Sequence, residues 1–211
     1  MADIVKAVKI SKSFNKAGGK LQVLRAVSFA VKQGEVLILT GKNGSGKTTL
    51  LKILSGLLLP DQGEVLLNGF NPKAVKRTIG YLGSDERALY LKLTGRQNLE
   101  FFAELYGVDD KTIAERIQKL MELLKMESYI DLPVENFSLG MKQRLALAKT
   151  LIHHPRICLF DEPVKGLDKA AKKIFIDLLK LLIKKKNGII IATHNEADFK
   201  GIKYKVRELG R

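Results

Sequence analysis

Apolar and polar positions alternate along two early stretches, Ile4 to Ile10 and Val23 to Val31, a period of two that turns one face of each toward a core. They read as half-buried strands with Ala17 to Lys20 as the turn between them, so the chain is expected to open on an antiparallel pair. Three later runs are short and almost wholly apolar: Val36 to Thr40, Ile157 to Phe160 and Ile189 to Ala192. Strands covered on both faces require that composition, and such strands are central and parallel. Between them the period changes. Ile113, Ile117, Leu120, Met121 and Leu124 fall at i, i+4, i+7, i+8 and i+11, one face of a helix, with Asp110 as its expected cap. From Thr94 to about Ile152 the pattern is mostly helical, broken at Asp131 to Phe137 by Pro133 and polar neighbours. Strands alternating with helices make the class α/β. The expected architecture is one domain over residues 1–211: a central, mostly parallel sheet, an N-terminal antiparallel β subdomain, and a helical subdomain over about 94–152 inserted between two central strands.

Gly41-Lys-Asn-Gly-Ser-Gly-Lys47-Thr48 fits the spacing G-x4-G-K-[ST] and stands between the strand Val36 to Thr40 and a helical run Thr49 to Leu54. Glycines there permit backbone angles closed to other residues. Successive N–H groups can then wrap a polyphosphate at a helix N-terminus. Lys47 would neutralise the terminal phosphates, and the Thr48 hydroxyl can reach Mg²⁺, a cation usually held by few protein oxygens plus phosphate. The fold is thus expected to be that of a P-loop nucleotide hydrolase.

A second cluster follows the apolar run Ile157 to Phe160, where Asp161-Glu162-Pro163 sets two carboxylates at a strand end. In a crevice at the C-terminal ends of parallel strands, Asp161 would hold the metal or its water and Glu162 would orient and deprotonate an attacking water. Ile189 to Ala192 likewise leads into Thr193-His194, which places His194 as a polar clamp on the transferred phosphate. His153 and His154 precede Pro155 without a partner at metal-ligand spacing and read as structural.

Taken in order, the phosphate loop, the segment Phe137-Ser-Leu-Gly-Met-Lys-Gln-Arg144, Asp161-Glu162-Pro163, Gly166-Leu167-Asp168 and His194 resemble the ATP-binding cassette ATPases over nearly the whole chain. Gly80 to Arg87, Leu93 to Phe102 and Ser138-Leu-Gly-Met look like the cassette subunits of exporter-type transporters, drug and polysaccharide exporters among them. The resemblance implies that Phe14 stacks on adenine and that Gly41, Asn43, Gly44, Ser45, Gly46, Lys47, Thr48 and Thr49 hold the phosphates of ATP. It implies Thr48 and Asp161 on Mg²⁺ and Glu162 as general base. It further implies that Ser138 and Gly140 bind the γ-phosphate held by a second copy, with Asp168 in the interface of a head-to-tail dimer. The partner would be a transmembrane permease on a separate chain, which places this subunit in the cytoplasm at the inner face of the cell membrane. Two departures stand out. Where the family usually has a glutamine that touches Mg²⁺ and the permease, this chain has Gly83-Ser84-Asp85, leaving Ser84 or Asp85 to substitute. In the signature, Phe137, Leu139 and Met141 replace the usual first, third and fifth residues of Leu-Ser-Gly-Gly-Gln.

Two competing readings share the phosphate loop. A soluble cassette driving a cytosolic machine, of the iron–sulfur assembly type or acting on DNA, is one; the DNA version needs a long coiled-coil insertion, and only 90 residues separate Lys47 from Ser138. A small-molecule kinase is the other, and it leaves Ser138 and His194 without a task.

Composition sharpens rather than redirects this picture. Apolar residues at 45% and charged residues at 28% are those of a folded globular protein. The longest stretch without a charged side chain, Asn187 to Asn195, is nine residues, against about 20 for a bilayer-spanning helix. The N-terminal residues lack the apolar core of a secretory signal, and the lone Cys158 fits a reducing compartment. The net charge of +15 raises the question of nucleic acid. Most of it falls in Met1 to Lys20, Ala170 to Lys186 and Lys200 to Arg211, away from the phosphate-loop and acidic motifs. It reads as solvated lysine at the chain ends and on one helix, so no nucleic acid is expected.

Overall fold

In the computed structural model, which describes residues 3–16, 19–83 and 89–210, the strands fall into two sheets. β1 (Asp3–Lys16) and β2 (Gly19–Lys32) pair antiparallel along their full length, and β4 (Gln62–Leu67) joins the other edge of β1. Of the expected turn, Gly19 and Lys20 belong to β2, while Ala17 and Gly18 lie outside the described residues. The second sheet is wholly parallel, in the order β5-β6-β7-β3-β8, from β3 (Val36–Thr40), β5 (Ile79–Leu82), β6 (Ile157–Asp161), β7 (Gly188–Ala192) and β8 (Lys205–Glu208).

The three apolar runs are the three inner strands of this sheet, and their alternation decides which layer each side chain enters. Val36, Ile38, Cys158, Phe160, Ile189 and Ile191 pack into the layer that contains the later helices. Leu37, Leu39, Ile157, Leu159, Ile190 and Ala192 point the other way, toward α1 (Lys47–Leu54) and the antiparallel sheet. Both layers are dry: β6 and β7 are buried at every position. Burying a large aliphatic side chain stabilises by about 1.5–3 kcal/mol, so this sandwich is the main source of stability.

Between β5 and its neighbour β6 the chain inserts α2 (Gly95–Leu105), α3 (Asp110–Leu124) and α4 (Leu139–Leu151). The buried face of α3 is the predicted one, Ile113, Ile117, Leu120, Met121 and Leu124. Its cap is not. Asp109 accepts the Lys111 N–H and is the capping residue, whereas Asp110 is the first helical residue. Only a residue still outside the helix can fold its carboxylate back onto those N–H groups, and Asp110 sits one position too late. The last helix, α5 (Lys169–Lys184), leads into β7. After it Lys186 takes the left-handed angle, φ 61°, while Asn187 turns inward and donates to the Pro155 carbonyl at 2.6 Å. His153 is structural as expected, donating through Nε2 to the Ile79 carbonyl at 3.0 Å and stacking on Tyr106 at 4.1 Å.

Candidate active site

Because β3, β7 and β6 are adjacent and parallel, the loops that follow them share one edge of the sheet. That places Gly41 to Gly46, Asp161-Glu162 and Thr193-His194 around a single crevice. Two glycines of the loop are required by space as well as by angle. Gly41 has φ 141°, and a Cβ there would lie 2.4 Å from the Leu209 carbonyl oxygen. Gly46 has φ 97°, and its Cβ would lie 2.7 Å from Leu24 Cδ2, because β2 closes that side of the loop. α1 starts directly at Lys47 with no side-chain cap, so its first N–H groups remain available to an anion.

Lys47 is buried, and its ammonium donates to the carbonyls of Gly41 at 2.6 Å and Lys42 at 3.2 Å. Ser45 Oγ is buried beside it and has no hydrogen-bond partner among the described residues. A buried hydroxyl without a partner is costly, and here it faces a loop already shaped for phosphate. The Thr48 hydroxyl donates to Asp161 Oδ2 at 2.7 Å, linking the phosphate loop to the end of β6. Burial is the largest influence on the Asp161 carboxyl and pushes its pKa above the ordinary range; the neighbouring Glu162 adds to this, while Thr48, Lys47 and Lys52 oppose it. A buried carboxylate and a hydroxyl side by side are oxygen donors of the kind Mg²⁺ takes when phosphate completes its shell.

Glu162 adopts a left-handed backbone, φ 49°, and its N–H donates to the Ala192 carbonyl at 2.9 Å. Its carboxylate faces His194, whose Nδ1 stands 3.0 Å from both oxygens, and the Thr193 hydroxyl lies 3.4 Å from Oε2. The cleft in front of these groups encloses about 500 Å³, room for a nucleotide-sized ligand. Phe14, Leu21 and Val23 line its apolar end; Asn43, Gly44, Gly46, Lys47, Thr48, Thr49, Asp161, Glu162 and Lys165 line the polar end. One concave surface thus joins an apolar platform to a cradle for anions.

Ser138 and Gly140 do not line this cleft. They start α4, where Ser138 Oγ accepts the Met141 N–H at 3.3 Å and the Met141 sulfur accepts the Ser138 N–H at 3.4 Å. A Cβ on Gly140 would meet nothing within 4 Å, so that helix start is open to a neighbour. Asp168 caps α5, accepting the Ala171 N–H at 2.7 Å. Ser84 and Asp85 lie outside the described residues. Three cleft residues escaped the sequence reading. Leu21 pairs with Phe14 across the hairpin and Val23 follows two positions on, so register was their only signal. Lys165 had none, since it enters the cleft through the turn after Pro163.

Residues 24–165 match the family described as ABC transporter. Over 188 residues the chain is 38% identical to the ABC transporter ATP-binding protein NatA of Bacillus subtilis, covering 87% of this chain and 76% of that protein. It is 35% identical to the Nod factor export ATP-binding protein I of a Rhizobium species, covering 88% of this chain and 60% of that protein. Among solved structures it resembles the ATP-binding cassette MJ0796, captured as a dimer in a post-hydrolysis state with ADP and phosphate. There the TM-score is 0.87 at 24% identity, over 97% of this chain and 94% of that one, which is a likeness of fold.

Proposed function

The chain belongs to the ABC transporter family as an ATP-binding protein, and we propose that it hydrolyses ATP with Mg²⁺ to energise export through a transmembrane permease on a separate chain. The observation that carries the hydrolytic part is the contact of Glu162 with His194 at 3.0 Å, directly beside a glycine loop whose Ser45 hydroxyl has no hydrogen-bond partner among the described residues.

Adenine stacks against Phe14, with Leu21 and Val23 beside it. The phosphates enter the loop, where Lys47 exchanges its bonds to the Gly41 and Lys42 carbonyls for phosphate oxygens and Ser45 gains an acceptor. Thr48 and Asp161 would hold Mg²⁺, which when bound neutralises charge on the β- and γ-phosphate oxygens. A water molecule is oriented by the Glu162 carboxylate. Its oxygen bonds to the γ-phosphorus as the bond to the bridging oxygen breaks, and its proton passes to Glu162. His194 holds that carboxylate in place and stands where it can donate to the transferred phosphate.

Ser138, Gly140 and Asp168 lie off the chain's own cleft, and the MJ0796 likeness is to a dimer. In the proposed assembly two chains meet head to tail, and each offers these residues to the nucleotide of the other. A ligand bridging both halves then shifts the dimer toward closure by its differential affinity. Among the described residues no helix is long and apolar enough to cross a membrane, so the permeation path is assigned to the partner, and the cassette to the cytoplasmic face. Export follows the Nod factor relative and the exporter-like segments around Leu93 and Ser138.

Glu162→Gln tests the core of this reading. The variant is expected to keep ATP binding while turnover falls about 10²- to 10⁴-fold. Near-normal release of phosphate would overturn the role of Glu162.

A further inference from the structure

Glu162 breaks two local rules at once. It is a residue with a side chain at φ 49°, and it precedes Pro163, which disfavours helical backbone in the residue before it. A backbone of this kind persists only where its surroundings over-determine it. On one side the constraint is β7, whose Ala192 carbonyl accepts the Glu162 N–H. On the other side Pro163 has no N–H, so its carbonyl is the only backbone handle it offers. That carbonyl accepts a hydrogen bond from Gln143 Nε2 at 2.8 Å, the contact that ties α4 to the acidic turn. Gln143 is half-buried one turn into α4, the helix that starts at Ser138, and it does not line the nucleotide cleft.

We propose that Gln143 is a positioning residue that locks Glu162 in its water-activating conformation. The inference rests on the hydrolytic reading above. Its physical content is that the amide of Gln143 clamps Pro163 while Ala192 clamps Glu162, so the peptide between them cannot relax toward the extended region. Without the clamp, Glu162 can leave the left-handed region and its carboxylate loses the placement beside His194. A shift of α4 reaches the hydrolysis site by the same bond.

The test uses the full chain with ATP and Mg²⁺ and compares Gln143→Leu, Glu162→Gln and the double variant. Gln143→Leu keeps the side-chain bulk but cannot donate. Its kcat is expected to fall about 10- to 100-fold, the cost of misplacing a reacting group by around an ångström, while KM and the affinity for a fluorescent ATP analogue stay within about twofold. In the double variant the Gln143 change should add less than about twofold to the loss from Glu162→Gln, because residues acting through one group are not additive. Full multiplication of the two losses, or a parallel loss of nucleotide affinity, would show a structural role and overturn the proposal. Wild-type kcat in Gln143→Leu beside an inactive Glu162→Gln overturns this inference alone. Wild-type turnover in Glu162→Gln overturns the hydrolytic reading beneath it.

If Gln143→Leu does not fold, Gln143→Glu decides. A carboxylate cannot donate to the Pro163 carbonyl, and glutamate is ionised near pH 7, so kcat should fall about 10- to 100-fold while KM stays within about twofold. Wild-type kcat in Gln143→Glu would sink the proposal.

Discussion

Replacing Glu162 by alanine and, separately, by glycine isolates what the backbone costs at the hydrolysis site. Both variants lose the carboxylate and its contact with His194, so they differ only in a Cβ atom. At φ 49° that atom costs about 1–2 kcal/mol, because it crowds the following carbonyl in the left-handed region. Glycine gives back part of this advantage, roughly 0.5–1 kcal/mol, through the greater freedom of its unfolded chain. The glycine variant should therefore be the more stable of the two by about 0.5–1 kcal/mol. In a chain of this length that corresponds to a melting temperature higher by roughly 1–4 °C. At an ordinary position the sign is opposite, with alanine ahead by about 0.4–1 kcal/mol. Calorimetry or urea unfolding without nucleotide reads the difference, and phosphate release verifies that both variants are inactive. An alanine variant as stable as the glycine variant, or more so, would refute the strain at Glu162.

Asp161→Asn should stabilise the fold while abolishing hydrolysis. Burial raises the folded carboxyl's pKa above its ordinary 3.8, so the native state keeps its proton to a higher pH than the unfolded chain does, and stability falls as pH rises through that interval. The asparagine variant is expected to melt about 2–4 °C higher at neutral pH and to lose that decline; an unchanged profile would contradict the burial cost. Cys158, the only cysteine, is fully buried in β6 and its thiol is pushed up to about 12, so a thiol reagent at neutral pH should label it only through unfolding. ATP at about 100 times its Kd should slow that labelling roughly 100-fold where reclosing outpaces labelling, and labelling at an unprotected rate would place Cys158 outside the core.

The central sheet was legible because β3, β6 and β7 are buried on both faces, and only unbroken apolar runs can meet that condition. The strands at its edges were not. β8 is exposed at all four positions and carries Lys205, Arg207 and Glu208, so no periodic signal marks it. Backbone pairing with β3 holds it, and Lys205 forms an ion pair with Glu35. At the edge of the antiparallel sheet, β4 reads Gln62-Gly63-Glu64 before its apolar half and is recruited by register with β1. The phosphate loop, Asp161, Glu162 and His194 were legible because their chemistry demands particular residue types at strand ends. Gln143 stands in the signature segment with no legible role, since its partner is a carbonyl, and any residue at 163 would have supplied one. Lys165 and the pair Leu21 and Val23 depend on a turn and a register that one sequence does not display.

Several local rules are broken together at one edge of the parallel sheet. Lys47 and Asp161 are charges taken out of water, Ser45 carries a buried hydroxyl with no hydrogen-bond partner among the described residues, and Glu162 is a left-handed residue before a proline. Left-handed residues with side chains also occur elsewhere, Ala26 and Lys125 among them, but the helices follow local preference: Thr94, Asp109, Ser138 and Asp168 cap the helices they precede, and α3 buries the face its spacing predicts. Such a concentration follows if the edge is shaped for a ligand that the chain alone does not contain. A polyphosphate supplies acceptors for Lys47 and Ser45, and a cation supplies the charge that Asp161 lacks. Strain at Glu162 belongs to a different class, because no nucleotide atom relieves a backbone angle. Ala192 and Gln143 must hold it in every state, bound or empty, so that the carboxylate is already placed when water arrives and no reorganisation is needed at the moment of reaction.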